Sequence, residues 1–408
     1  MNKIFFYYPY SNPYNNMKAI ILAAWEWSRL RPFTNTIPKP LIKIFWKSII
    51  EHNLDIIYKY VTEIIIVVKY KEEEIKEKLW FFYKWVKITY HRQCDEKWTA
   101  AAIKWIQSSY DIIVMNSDSI FEKKDLEKIL KTNWYWVLVK KVNDPSKYWI
   151  FKLDLAWNIL GIKEKPKENI WNLANLWVYK FNEEIIEISE NIWLSERWEY
   201  EITDAINEFV KSFPFKPYEI EWEFIDIWYP WDILTANAHF LNKLSESNIK
   251  WTIEEWVVIK WNIVLEQWAI LKSWTYIEWN CYIWKDSKIW PNTYIRWNTV
   301  IWNNSKLWNA VEVKNSSVWD NTNIAHLSYF WDSIIWNNVN IGCWFVTANL
   351  RHDKANIKVP VKLKLTDTGL HKLWIIIWDN CKTWINSSSM PWRVLENDMF
   401  TNPGTIIK

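Results

Sequence analysis

Two periodicities of apolar residues divide the chain. From residue 18 to about 235, short apolar runs alternate with segments whose apolar positions recur at helical spacing. KAIILAA (18–24), TEIIIVV (62–68), VKITYH (86–91) and DIIVMN (111–116) read as buried strands, because near-continuous apolar runs suit strands covered on both faces. SIIEHNLDIIYKY (48–60), KEEEIKEKLWFFYK (71–84) and TAAAIKWIQSSY (99–110) read as helices. This alternation predicts a Rossmann-like α/β domain with a mainly parallel sheet, in which ligands bind outside the carboxyl ends of the strands. The loops that follow strands are therefore where chemistry is expected. DILTANAHFLNKLSESNIK (232–250) reads as a connecting helix that runs into a polar stretch.

After that helix the period becomes six. Ile, Leu or Val stands at every sixth position from 253 to 313, and the pattern resumes at Val318-Trp319, Ile335-Trp336 and Ile377-Trp378 after offsets and one insertion. Apolar residues every sixth position do not line one face of a helix. They fit the hexads of a left-handed parallel β-helix, where each hexad is a short strand plus a corner and three hexads close a coil. The aliphatic side chain fills the prism, and a small neighbour permits the turn. The expected divisions are a tail or mis-called start at 1–16 (Met17 precedes the first strand), an α/β domain at 17–235, a connecting helix at 236–250 and a β-helix at 251–408.

Composition changes how these turns are read. The chain has 37 Trp and 4 Gly, where average usage predicts about 29 glycines. Trp stands where backbone physics asks for Gly: at Trp25 and Trp27 after the first strand, and beside Asn or Asp in Trp261-Asn262, Trp302-Asn303 and Trp378-Asp379. The sequence therefore predicts that most Trp letters stand for glycine encoded by UGA, in a lineage that reads this codon as Gly.

Charge and cysteines mainly exclude. A balance of 50 Lys+Arg against 47 Asp+Glu, with no basic block, implies neither a nucleic acid nor a membrane-surface partner. No apolar run approaches the roughly 18 residues of a membrane span, and the first residues lack the pattern of a cleaved leader, so a cytoplasmic protein is expected. Cys94, Cys281, Cys343 and Cys381 form no C-x-x-C pair, which argues for reduced thiols.

The loop after the first strand reads LAAWEWSRLRPFT, followed by PKPL; with glycine at 25 and 27 it becomes LAAGEGSRLRPFT. A glycine-rich turn lets backbone N–H groups approach phosphate oxygens, and Arg29 and Lys39 supply compensating charge. This segment resembles the signature of sugar-1-phosphate nucleotidyltransferases, and later motifs follow in that family's order across residues 18 to 240. The resemblance implies nucleotide contacts from Ala23, Ala24, Trp25, Gln93, Trp98 and Thr99. It implies sugar contacts from Trp149, Glu164, Lys165 and Asn175, with Arg29 and Lys39 acting on the leaving pyrophosphate. Asp118, in Asn116-Ser117-Asp118, and Asp226, in FIDIWYPWD, are the implied Mg²⁺ ligands.

Residues 311–353, VEVKNSSVWDNTNIAHLSYFWDSIIWNNVNIGCWFVTANLRHD, resemble the acetyltransferase domain of bifunctional N-acetylglucosamine-1-phosphate uridyltransferases. On that resemblance His326 is the general base, a task that suits an imidazole near its intrinsic pKa. Arg296 and Lys314 would bind the sugar phosphate; Tyr329, Asn340 and Asn349 match the remaining sugar and acetyl contacts. After Asn349 an insertion, KANIKVPVKLKLTDTGLHK, departs from the bacterial pattern and is similar to archaeal-type members. The family implies UTP or dTTP, a sugar 1-phosphate and acetyl-CoA as substrates, and a homotrimer joined through the β-helix. Two other readings fit parts of the pattern. One is a single-activity uridylyl- or thymidylyltransferase acting on glucose 1-phosphate, whose β-helix serves assembly or regulation. The other is a non-enzymatic trimeric scaffold or sugar-nucleotide sensor, favoured if Trp25, Trp27 and Trp98 are tryptophan.

Overall fold

The computed structural model describes residues 17–93, 100–167, 171–194, 200–361 and 364–408; the expected tail, Trp98 and Thr99 lie outside them. The chain forms two compact units. The first comprises residues up to Glu26, Ile37–Ile42 and Lys47–Asp226; the second comprises Trp27–Thr36, Lys43–Trp46 and Ile227–Lys408.

In the first unit the four predicted strands are β1 (Met17–Leu22), β2 (Glu63–Val68), β3 (Val86–Arg92) and β4 (Asp111–Asn116). They pair in parallel in the order β3-β2-β1-β4. Successive residues of β1 point to opposite faces, so Ala19 and Ile21 enter one apolar core while Ile20 and Leu22 enter the other. The chain leaves β1 first toward β2 and returns on its other side as β4, which makes the carboxyl end of β1 a topological switch point. The sheet then continues antiparallel through β5 (Tyr135–Lys141), β6 (Trp149–Leu153), β7 (Ile159–Glu164) and β8 (Leu173–Phe181), with β9 (Phe215–Glu219) parallel to β5.

Two of the expected helices form in shortened versions, α1 (Ile49–Ile57) and α2 (Glu72–Leu79). The backbone N–H of Ser48 donates to Glu51 Oε2 at 2.9 Å and fixes the start of α1. The third, expected over 99–110, is not a helix in its described part. Residues 100–105 form turns in which Lys104 N–H reaches Ala100 O at 3.3 Å, and Trp105 at φ 65° breaks the right-handed path. Later in the chain come α3 (Ile202–Ser212), which buries Ile202, Ala205, Ile206 and Phe209 along one stripe, and the connecting helix α4 (Asp232–Asn242).

The second unit is a parallel β-helix of three sheets. Its registers step by 18 residues, as in Ile263↔Cys281↔Thr299, then by 17 at Ile301↔Val318↔Ile335. One long coil separates Ile335 from Ile377. It contains the insertion, which folds its own antiparallel hairpin, Lys358–Val361 with Lys364–Asp367. Every sixth residue from Leu265 to Val313 is fully buried, whereas Ile253 and Ile259, in the first coil, are partly buried. The apolar column is thus the axis of the prism, as its spacing requires.

Tryptophan occupies positions whose backbone disfavours it. Among the described residues Trp80, Trp105, Trp157, Trp177, Trp256, Trp268, Trp274, Trp297, Trp344 and Trp392 all have φ between 34° and 65°. Trp80, at φ 57° and ψ −150°, lies in a region that is essentially glycine-only. In the β-helix, Trp256, Trp268, Trp274 and Trp344 take the left-handed corner that other coils give to Asn304, Asn321, Asn338 and Gly404. Along one corner Trp284, Trp302, Trp319, Trp336 and Trp378 stack into a ladder, and the Trp319 and Trp336 ring centres lie 3.5 Å apart, closer than offset aromatic pairs prefer. The indole N–H groups of Trp319, Trp374 and Trp378 are buried without a hydrogen-bond acceptor. Trp27, at φ −94°, is in ordinary backbone, so in the first loop the argument for glycine rests on close approach to a ligand and not on φ.

Candidate active sites

The carboxyl edge of the first unit's sheet gathers most of the predicted nucleotide residues. Ala23 and Ala24 prolong β1, with Ala23 N–H donating to Val67 O at 2.9 Å and Ala24 O accepting from Tyr70 N–H at 3.2 Å. Gln93 ends β3 and is buried, its N–H on Val68 O at 3.0 Å. Trp25, half-buried, packs on one of the two cores. At the end of β4, Ser117 is tied back to Leu22 O through its Oγ at 2.6 Å, which turns Asp118 into the switch-point crevice.

There Lys39 is fully buried, its Nζ 3.1 Å from Asp118 Oδ2 and 3.9 Å from Asp226 Oδ1. Two distant segments are brought together by a short antiparallel pairing, Ser119↔Asp226 and Ile120↔Ile225. Ser119 Oγ lies 3.3 Å from an oxygen of each aspartate and bridges them. Sequence reasoning missed this serine, whose only signal was adjacency to Asp118. The donor set is two carboxylates and no larger His/Cys/Asp/Glu cluster among the described residues. That fits Mg²⁺, which binds through one or two carboxylates and fills its remaining positions with water and phosphate oxygens. Arg29 stands in a segment counted with the second unit; it is exposed, its guanidinium 4.9 Å from the centre of the Trp228 ring.

The expected sugar residues converge as well. Trp149 pairs with Glu164 across β6 and β7, and Ile150 pairs with Ala174, the neighbour of Asn175 on β8. Asn175 is buried, with Nδ2 donating to Tyr179 Oη at 2.6 Å and Oδ1 accepting from Trp177 N–H at 3.0 Å. Lys165, at φ 41°, reaches Glu164 Oε1 at 3.3 Å. Trp149 and Glu164 line a cavity of about 1050 Å³, together with Glu201, Asp204 and Asn207.

On the β-helix, Arg296, Lys314 and Trp331 stack in register on one sheet, and Tyr294, Glu312 and Tyr329 stack in register beside them. Arg296 is held by two carboxylates that the motifs did not reveal, Glu278 Oε2 at 3.2 Å and Glu312 Oε1 at 3.0 Å. The coil period does locate the first of them, since Glu278 lies 18 residues before Arg296. Lys314 is buried between the rings of Trp297 and Trp331, 3.5 and 3.4 Å from their centres. Burial above all, with help from the charges of Arg296 and Lys372, pushes its ammonium down to about 8 against the pull of Asp332. Asp332 is itself raised by burial, although Asn315 donates to it at 2.6 Å.

His326 sits at an exposed corner just before the Tyr329 strand, with its backbone O accepting from Trp344 N–H at 3.1 Å. Its ring lies 5.5 Å from that of Trp308. Asn340 stands on a different sheet, stacked on Asn323, and Asn349 enters at the foot of the insertion with its Nδ2 buried and unpaired. The cations and Tyr329 are therefore together on one face, whereas Asn340 is not on that face. A buried Lys314 in register with a half-buried Arg296 suits binding of a phosphate, and an exposed imidazole at His326 suits proton acceptance.

Comparison with known proteins agrees with both halves. The nucleotidyl transferase family matches residues 18–239. A protein of Methanocaldococcus jannaschii named bifunctional protein GlmU is 41% identical over 377 residues, 92% of this chain and 91% of that one. A protein of the same name from Methanococcus maripaludis strain C7 is 42% identical over 379 residues, 92% and 90% of the two chains. A Sulfurisphaera tokodaii protein named bifunctional sugar-1-phosphate nucleotidylyltransferase/acetyltransferase is 36% identical over 378 residues, 92% and 93% of the two chains. A family match over residues 18–239 and relatives 36–42% identical over 92% of the chain show that it belongs to the bifunctional sugar-1-phosphate nucleotidylyltransferase/acetyltransferase family.

Proposed function

We propose that the chain makes UDP-N-acetylglucosamine in two steps. On the β-helix the amine of glucosamine 1-phosphate attacks the thioester carbonyl of acetyl-CoA; the C–N bond forms, the C–S bond breaks, His326 accepts the amine proton, and the thiol of CoA leaves. Arg296 and Lys314 hold the sugar phosphate, and Tyr329, Asn340 and Asn349 the remaining sugar and acetyl groups. In the α/β unit a phosphate oxygen of N-acetylglucosamine 1-phosphate attacks the α-phosphorus of UTP in line, and pyrophosphate departs. Such a transfer needs positioning and charge neutralisation more than covalent help. Lys39 and Arg29 supply positive charge toward the leaving group, while Trp149, Glu164, Lys165 and Asn175 grip the sugar. Asp118 and Asp226 would hold Mg²⁺, which when bound neutralises charge on the reacting phosphates.

The observation that carries this reading is the buried Lys39 between Asp118 and Asp226 at the switch point. A homotrimer through the β-helix is part of the proposal. It is supported by the distribution of the acetyl-transfer residues over two sheets of the prism, an arrangement that a second copy can complete. A cytoplasmic setting fits these substrates, and no helix among the described residues is long and apolar enough to cross a membrane. The proposal also reads most of the tryptophans as glycine, supported by the left-handed backbone at ten of them.

The test is to produce the chain with UGA read as glycine and supply UTP, Mg²⁺ and a panel of sugar phosphates, with and without acetyl-CoA. Asp118→Ala should abolish uridylyl transfer alone and His326→Ala acetyl transfer alone. Loss of both activities in either variant, with folding intact, contradicts separate sites.

A further inference from the structure

We infer that two β-helix carboxylates, Asp320 and Asp379, are positioning residues for the segment that carries Lys39. The inference rests on the nucleotidyl-transfer reading of Lys39. Residues 27–36 and 43–46 flank the PKPL turn, and both are counted with the second unit. Thr36 Oγ1 donates to Asp379 Oδ2 at 3.2 Å, and Lys43 Nζ donates to Asp320 Oδ2 at 2.8 Å. Lys39, which faces Asp118 and Asp226, lies on the short span between these two anchors, in a single turn closed by Ile42 N–H on Lys39 O at 3.0 Å.

The two aspartates are equivalent positions of the repeat. Each follows the aliphatic-Trp pair of its hexad, and each uses Oδ1 to accept from the coil below: Asp320 from Asn303 Nδ2 at 2.8 Å, Asp379 from Asn337 Nδ2 at 3.1 Å. At the same position Asn303 and Asn337 stand on the alternate coils. Each of these bonds to the coil below therefore uses one acceptor oxygen of the aspartate. The second oxygen of each aspartate is directed at Thr36 or Lys43 instead. At 320 an asparagine would keep the ladder and lose the anchor, because its Nδ2 does not attract an ammonium; at 379 its Nδ2 would donate to the Thr36 hydroxyl instead, so that anchor is removed by Thr36→Val, which leaves Asp379 and its bond to Asn337 in place. Both hydrogen bonds end on aspartate oxygens, while tryptophan rings pack on the same segment, with Phe33 against Trp336 and Trp378 and Lys43 Nζ 5.0 Å from the centre of the Trp302 ring. Phe45 N–H on Asn237 Oδ1 at 2.7 Å, on α4, closes the same segment from its other side.

A clamp of this kind acts on transition-state geometry, where a displacement of about 1 Å costs on the order of 100-fold. The test is the full chain carrying Thr36→Val and Asp320→Asn together. Pyrophosphate release should fall in kcat by about 10- to 100-fold with the KM for UTP within about threefold, while release of the CoA thiol stays within about twofold of the parent, as two independent sites require. Lys43→Arg, which keeps a cation against Asp320, should retain the parent kcat within about threefold. Amide exchange over residues 33–46 should be about tenfold faster in the double variant, the signature of a segment released locally. Unchanged uridylyl kcat, or an equal fall in both activities, overturns the inference. If the parent releases no pyrophosphate, the nucleotidyl reading fails, and the exchange measurement alone decides the clamp: unchanged protection over 33–46 overturns it.

Discussion

Lys39 offers the sharpest quantitative prediction. Replacing it with methionine keeps the length and removes the charge that two carboxylates share at 3.1 and 3.9 Å. At an effective dielectric of about 20 these attractions are worth roughly 5 and roughly 4 kcal/mol, opposed by several kcal/mol for burying the ammonium. The net loss on breaking such a buried cluster is about 3 kcal/mol, because Asp118 and Asp226 are left facing each other with little water. Asp226 keeps about a quarter of its side chain exposed, which holds the loss at the lower end of the usual range. In a unit of this size that loss lowers Tm by roughly 6–12 °C. Scanning calorimetry with and without MgCl₂ reads it, and Mg²⁺ should raise the Tm of Lys39→Met more than that of the parent, since the cation replaces the missing charge. Pyrophosphate release should fall by about 10²- to 10³-fold, the usual cost of one preorganised electrostatic group, while thiol release from acetyl-CoA is unchanged. A variant that melts within about 2 °C of the parent and retains uridylyl transfer within about twofold would refute the reasoning.

Four further outcomes are expected. In the chain that carries Trp297 and Trp331, the KM for the sugar phosphate in acetyl transfer should rise as pH passes about 8, because Lys314 loses its proton there. Lys314→Arg should abolish that dependence, as guanidinium stays charged. With glycine at 297 and 331 the break should move up toward the ordinary lysine value of about 10.4, because the rings that bury the ammonium are gone; a break near 8 in both chains would remove burial by the rings as its cause. Trp80→Gly should stabilise the first unit by about 1–3 kcal/mol by relieving a backbone conformation that favours glycine, measured as a higher urea midpoint at constant m-value.

The sequence made the axis of the prism legible because a sixfold aliphatic column has few other physical solutions, and the buried run from Leu265 to Val313 follows it closely. The parallel strands were equally legible, since strands covered on both faces have little room for polar residues. The segment 99–110 misled because its alanines suit a helix, whereas the backbone at Trp105 turns left-handed and stops it. Motif order singled out Asp118, Asp226 and Lys39, which the fold brings together, but not Ser119 or the carboxylates on Arg296. Those depend on which residues become neighbours through strand pairing and coil stacking, information that is not local in sequence. Glu278 is the instructive case: once a coil is known to take 18 residues, its place beside Arg296 follows.

The measurement that tests the account most directly is the peptide mass of the protein isolated from the cells that encode it, covering positions 25, 27, 80, 256, 268 and 274. The account predicts glycine at each of these turn and corner positions, leaving the first loop open to phosphate oxygens. Tryptophan masses there would contradict it, because indoles at 25 and 27 would stand where the nucleotide phosphates must approach the backbone.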